Sequence, residues 1–185
     1  MKRILIITGS VGDNWVKATC TIVKSILAKS KILIVLEEAF TRRLVEVLKK
    51  NDIPLSENPK LGHVAVRSPS ISKLEEFALK IYNNYRFNVL MYVYRPRQGV
   101  DGLYYDDGCK VVNNLIPLED IAHLIKSSKR NVIIIGVVGS AYHIGASKFE
   151  CDEDTCIELR DVPVDKAVYE PNPERLSMII RGLRL

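Results

Sequence analysis

The chain has 185 residues, 47% hydrophobic and 26% charged, a composition that fits a folded globular unit and excludes a disordered segment. A chain of this size buries roughly 70% of its unfolded surface in one core, which argues for a single domain. Its formal net charge of +5 is mild, and the basic pairs Arg42-Arg43, Lys49-Lys50, Lys129-Arg130 and Arg181 with Arg184 are scattered, so no polybasic block demands a nucleic-acid partner.

The longest apolar runs, such as Val132 to Val138, have strand length and fall far short of the ~20 residues a membrane-spanning helix needs. Met1-Lys2-Arg3 passes directly into Ile4 to Ile7 and then into a Thr-Gly-Ser loop, the pattern of a first strand instead of a signal peptide; the expected compartment is the cytoplasm. Gln occurs once, at Gln98, among many Lys, Arg, Glu and Ile residues, a bias found in proteins of thermophiles. No C-x-x-C pair points to zinc or to a redox motif. Cys20 continues the apolar row Val16, Val23 and Leu27, while Cys151 and Cys156 flank an acidic turn across which a disulfide could form.

Taken in order, strand-length apolar runs alternate with segments of helical period, the mark of βαβ units and a parallel sheet. Arg3 to Thr8 reads as the first strand, and Trp15, Ala18, Ile22 and Ile26 place one stripe of the following helix toward a sheet. Lys31 to Leu36 is the second strand, and Phe40, Leu44, Val47 and Leu48 mark the second helix. His63 to Arg67 is a short third strand; Ser72 with Glu75 forms a capping box for a third helix carrying Phe77, Ala78, Ile81, Tyr82 and Tyr85.

Asn88 to Tyr94 reads as a buried strand. Beyond it, Leu103 to Tyr105, Asp106-Asp107-Gly108 and Cys109 to Val112 spell a hairpin at the sheet edge or over its rim. Pro117 at a helix start predicts the fourth helix, Val132 to Val138 the most hydrophobic strand, and Asp152-Glu153-Asp154 a second hairpin. Asn172-Pro173 is a cap pattern for a last helix with Leu176, Ile179, Ile180 and Leu183. The expected fold is therefore α/β: a Rossmann-like three-layer sandwich with a mostly parallel central sheet of about five strands and two β-hairpin additions.

In open α/β sheets ligands bind outside the carboxyl ends of the strands, where loops and helix N-termini meet. The loop after the first strand supplies Thr8, Gly9, Ser10, Gly12, Asp13 and Asn14, whose glycines and hydroxyls suit a phosphate or carboxylate. It is neither G-x-G-x-x-G nor a P-loop, so no dinucleotide or triphosphate fingerprint is present. After the fourth strand come Arg95 and Arg97, placed to grip phosphates; after the last core strand come Ser140, Tyr142, His143 and Lys148. A histidine serves as general acid or base near neutrality, so His143 and Lys148 are the candidate catalytic pair. Thr8, Gly9, Ser10, Asn14, Arg95, Arg97, Ser140 and Tyr142 are the candidate ligand-binding set. Asp13, Glu37 and Glu38 have no spacing that requires a metal, and no cofactor is indicated.

The expected function is binding of a phosphate-containing ligand, a nucleotide or oligonucleotide, at the strand ends, with phosphodiester cleavage as its catalytic form. Two alternatives stand beside it: a module that binds RNA or DNA through the scattered basic residues, and a non-catalytic subunit that buries an edge strand or a hairpin against a second copy, as a homodimer, or against a partner. Every version of the ligand site requires Ser10 and His143, far apart in the chain, to meet on one rim.

Overall fold

A computed structural model describes residues 1–69, 74–149 and 155–183. In chain order the elements are β1 (Lys2–Ile7), α1 (Asn14–Ile26), β2 (Ser30–Val35), α2 (Glu38–Lys50), β3 (Val64–Arg67), α3 (Leu74–Tyr85) and β4 (Val89–Val93). A small hairpin sheet follows, made of β5 (Arg97–Gln98), β6 (Tyr104–Asp106) and β7 (Lys110–Val111). Then come α4 (Asp120–Ser127), β8 (Ile133–Val138), β9 (Lys166–Tyr169) and α5 (Leu176–Gly182). The central sheet has six strands in the order β3-β2-β1-β4-β8-β9, and every pairing is parallel. This is the Rossmann-like α/β sandwich the alternation predicts.

Alternation along each strand sorts the core into two layers. Ile4, Ile6, Ile32, Ile34 and Met91 pack against α1, α2 and α5, whereas Leu5, Ile7, Leu33, Leu90 and Tyr92 pack against α3 and α4. Because both faces of the inner strands are covered, these strands read as unbroken apolar runs. Gly136 interrupts the run of β8 for a steric reason: a Cβ there would lie 2.5 Å from the Ile144 carbonyl oxygen. The bare backbone lets residues 144 and 145 lie flat on the strand, and this docking places His143 at the strand's carboxyl end.

The structure corrects several expectations. The sheet gains an unpredicted sixth strand, since Lys166-Ala-Val-Tyr169 pairs with β8 although only Val168 of it is buried; a four-residue edge strand carries too little apolar pattern to be read. Pro117 does not begin the fourth helix: Asp120 N–H donates to the Pro117 carbonyl in a preceding turn, and α4 starts at Asp120. The second hairpin around Asp152 to Asp154 and the capping serine Ser72 lie outside the described residues. Asn172 does cap, its Oδ1 accepting from Glu174 N–H at 3.0 Å.

The disulfide joins Cys156 to Cys109, with Cα atoms 6.0 Å apart, and not to Cys151. Residues 158 to 160 run along the hairpin sheet, where Val100 N–H donates to the Glu158 carbonyl and Arg160 N–H to that of Gln98. That pairing carries Cys156 to the β6–β7 turn. Among the described residues no helix is long and apolar enough to cross a membrane.

Candidate functional site

Strand order reverses between β1 and β4, where the chain stops adding strands on one side of β1 and begins adding them on the other. At such a switch point the loops above the strand ends diverge and leave a crevice. Here the crevice is a cavity of about 820 Å³. Ser10 to Trp15 come from the loop after β1 and the start of α1, Tyr94 from the end of β4, and Gly139 and His143 from beyond β8; Asp106, Asp107 and Lys110 come from the hairpin that folds over the rim.

Three of these side chains form one network. The Ser10 hydroxyl donates to Asp106 Oδ2, and His143 Nε2 lies 3.0 Å from Asp106 Oδ1. The backbone N–H of Gly139 donates to His143 Nδ1 at 3.0 Å, so the ring proton resides on Nε2 and is donated to Asp106. Asp107 N–H adds a further donor to Asp106 Oδ1. Burial pushes the Asp106 carboxyl up, but the hydrogen bonds from His143, the Ser10 hydroxyl and the Asp107 amide outweigh it and hold the group below its ordinary value. A buried carboxylate is thus kept ionised by converging donors.

The His143 ring stacks on Tyr94, with centroids 5.1 Å apart, and the Tyr94 hydroxyl donates to the Glu170 carbonyl. Tyr94 adopts φ +45°, a left-handed conformation unfavourable for an aromatic residue, as the chain turns out of β4. Asp106, Asp107 and His143 offer ligand atoms within 4.8 Å of one another. The tautomer set by Gly139 keeps a proton on His143 Nε2, the nitrogen that donates to Asp106.

The structure thus brings Ser10, Asn14 and His143 from the predicted set to the cavity. It does not bring the others. Arg95 is fully buried and doubly bonded to Glu37, at 2.8 Å and 2.7 Å, with further bonds to the Thr8 and Ile116 carbonyls. Burial opposes its charge, yet the Glu37 carboxylate more than compensates and raises its pKa further. Gly9, at φ +116°, packs against that pair, and a Cβ there would meet Phe40 at 3.2 Å and Glu37 at 3.3 Å.

Thr8 turns its hydroxyl inward to the Val93 carbonyl and to Thr19. Arg97 donates to the carbonyls of Ala141, Leu159 and Arg160. Ser140 is buried, its hydroxyl oxygen accepting from Tyr142 N–H, and the Tyr142 oxygen accepts from Cys156 N–H. Lys148 is exposed and does not line the cavity; it follows the segment that folds back over Gly136 and acts electrostatically on Asp165, beside the amino end of β9. Its proposed pairing with His143 fails because that segment runs away from the rim.

Missed in the sequence were Asp106, Asp107, Lys110 and Lys17, the charged wall of the cavity. The Asp106-Asp107-Gly108 turn was legible as a turn, but nothing in it said that the hairpin folds over the strand ends.

No protein-family model and no curated protein sequence matches the chain. Among solved structures it is similar to a thiolation-reductase di-domain from an archaeal non-ribosomal peptide synthetase. The identity is 12% and the TM-score 0.43, over 99% of this chain and 47% of that one. The chain spans about half the length of that structure.

Proposed function

We propose that the chain binds a small phosphate-bearing ligand, a nucleotide or short oligonucleotide, in the cavity at the carboxyl ends of β1, β4 and β8. The observation that carries this reading is the make-up of the wall at the switch point. Its volume of about 820 Å³ suits a small-molecule site. The α1 amino end opens onto it with no acidic residue in the first turn and no side-chain cap, while Asp13 is drawn aside by Arg43. Lys17 and Lys110 line it, and neither has a carboxylate partner among the described residues. Trp15, also in the lining, is buried with its indole N–H unpartnered among the described residues. These are donors and cations in search of acceptor oxygens, which a phosphate supplies.

Asp106 completes the reading as an ionised acceptor for a ligand hydroxyl such as that of a sugar. His143 is a positioning residue, since its Nε2 donates to Asp106 while its Nδ1 accepts from Gly139 N–H. Glu37 stands at the end of β2, where Rossmann proteins place a ribose-binding carboxylate, but Arg95 and Ile116 N–H occupy both of its oxygens.

Trp15 is the chain's single tryptophan and reports on this cavity directly. Titration with nucleoside mono- and diphosphates and short oligonucleotides is expected to give a saturable change in its fluorescence. Lys17→Ala with Lys110→Ala should weaken binding about tenfold or more, the worth of a charged contact. Absence of any binding at millimolar ligand overturns the proposal. Steeply salt-dependent binding of long RNA or DNA alone favours the nucleic-acid alternative.

A further inference from the structure

The six-stranded sheet is wider than its cover on one face. Three helices, α1, α2 and α5, pack one side, but only α3 and α4 pack the other. Beside α3, the start of β2 and the end of the edge strand β3 border a groove of about 410 Å³. It shares no lining residue with the strand-end cavity. Its apolar surface comes from Leu33 on β2 and from Phe77 and Ile81 on α3.

Four cations, Arg3, Lys31, Arg67 and Lys80, stand around this surface, and no carboxylate lines it among the described residues. Arg3 and Lys31 are register partners on neighbouring strands, so they project side by side on the face that carries Leu33. Arg3 is anchored by the Tyr85 carbonyl at 3.4 Å, and Arg67 by the Glu57 carbonyl at 3.3 Å and Asn58 Oδ1 at 3.1 Å. Lys31 and Lys80 have no carboxylate within ion-pair distance among the described residues. Like charges gathered over an apolar floor repel one another, and an anion seated among them relieves that repulsion while its body covers the floor.

We propose that this groove is a second ligand site, for a small organic anion with a phosphate or carboxylate head on a flat apolar body. The volume lies within the range of small-molecule pockets and is too small for a folded partner. The head would lie between Lys31, Lys80 and Arg3, and the body against Leu33, Phe77 and Ile81. The site is independent of the strand-end cavity, so either can fail without the other.

The probes are 2-naphthyl phosphate, 2-naphthoate and uncharged 2-naphthol, titrated calorimetrically and by amide chemical shifts of the labelled protein. The two anions are expected to bind and to shift amides of β2 and α3, not those of α1. Stronger binding of one of them identifies phosphates or carboxylates as the natural source. Lys31→Met with Lys80→Met should weaken binding about tenfold or more; Lys17→Ala should leave it unchanged. Lys80 is exposed and Lys31 half-buried, and amide spectra report directly whether the variant keeps its fold; if it does not, the same comparison is made with high salt on the native chain. Binding of 2-naphthol as tight as that of the anions overturns the proposal, as does the absence of shifts in β2 and α3. Retention of a thymidine oligonucleotide through the same lysines, with no binding of the naphthyl anions, replaces it with a nucleic-acid surface.

Discussion

Two polar clusters sit within the same rim and have opposite fates. Around Arg95 and Glu37 every strong bond is internal: the guanidinium reaches two carboxylate oxygens and two carbonyls, and the pair is sealed from solvent. Around Asp106 the donors are also satisfied within the protein, but Ser10, Asp106 and His143 all face a large cavity. Residue type does not separate the two, since an arginine after a buried strand looks more like a phosphate grip than an aspartate in a turn does. What separates them is cover: the chain closes over Arg95 at Ile116, whereas the hairpin carries Asp106 over the rim and leaves space beneath.

The sharpest way to break this comparison is to remove one partner from each cluster. Arg95→Met strands the Glu37 carboxylate in the core and should cost about 3–5 kcal/mol, seen as a fall in thermal midpoint on the order of 10 °C. Replacing both Arg95 and Glu37 with apolar residues should recover much of the loss. A fall of under one degree for Arg95→Met would show that the pair is not the buried structural element described here.

Asp106→Asn should act in the opposite way, costing on the order of 1–2 kcal/mol of stability while weakening the ligand binding proposed above far more. Its stability effect carries a pH signature. Because the folded-state pKa of Asp106 is depressed, its ionised form stabilises the fold above the unfolded carboxylate value near ~3.9, and this contribution is lost as pH falls through the lower folded value. Urea denaturation of native and Asp106→Asn chains should therefore differ by a constant amount between pH 5 and 8 and begin to converge only below about pH 4, as pH falls toward the lower folded value. The smallest effect is that of Ser10→Ala, about 0.5–1.5 kcal/mol, because the carboxylate keeps its other donors; a larger loss would make Ser10 the centre of the network.

Much of the fold was legible because its inner strands are covered on both faces. Ile4 to Ile7, Lys31 to Leu36 and Val132 to Val138 declare themselves as apolar runs, and the predicted helices between them carry one stripe each. That Ser10 and His143 share one rim followed from strands that run in the same direction. Lys166 to Tyr169 could not be read, since a short edge strand buries one side chain, and Asp106 could not, since its role depends on where the hairpin folds. Gly136 was a missed signal: a glycine within the most apolar strand marks a place where another backbone must approach, and here that backbone positions His143.

The link between Cys109 and Cys156 joins the hairpin tip, which carries Asp106, Asp107 and Lys110 at its base, to the segment that bonds Tyr142. One wall of the strand-end cavity is therefore tethered covalently at a distance of only three residues from Asp106. Reduction removes that tether, so titrations of the cavity are to be compared in reducing and in oxidising buffer.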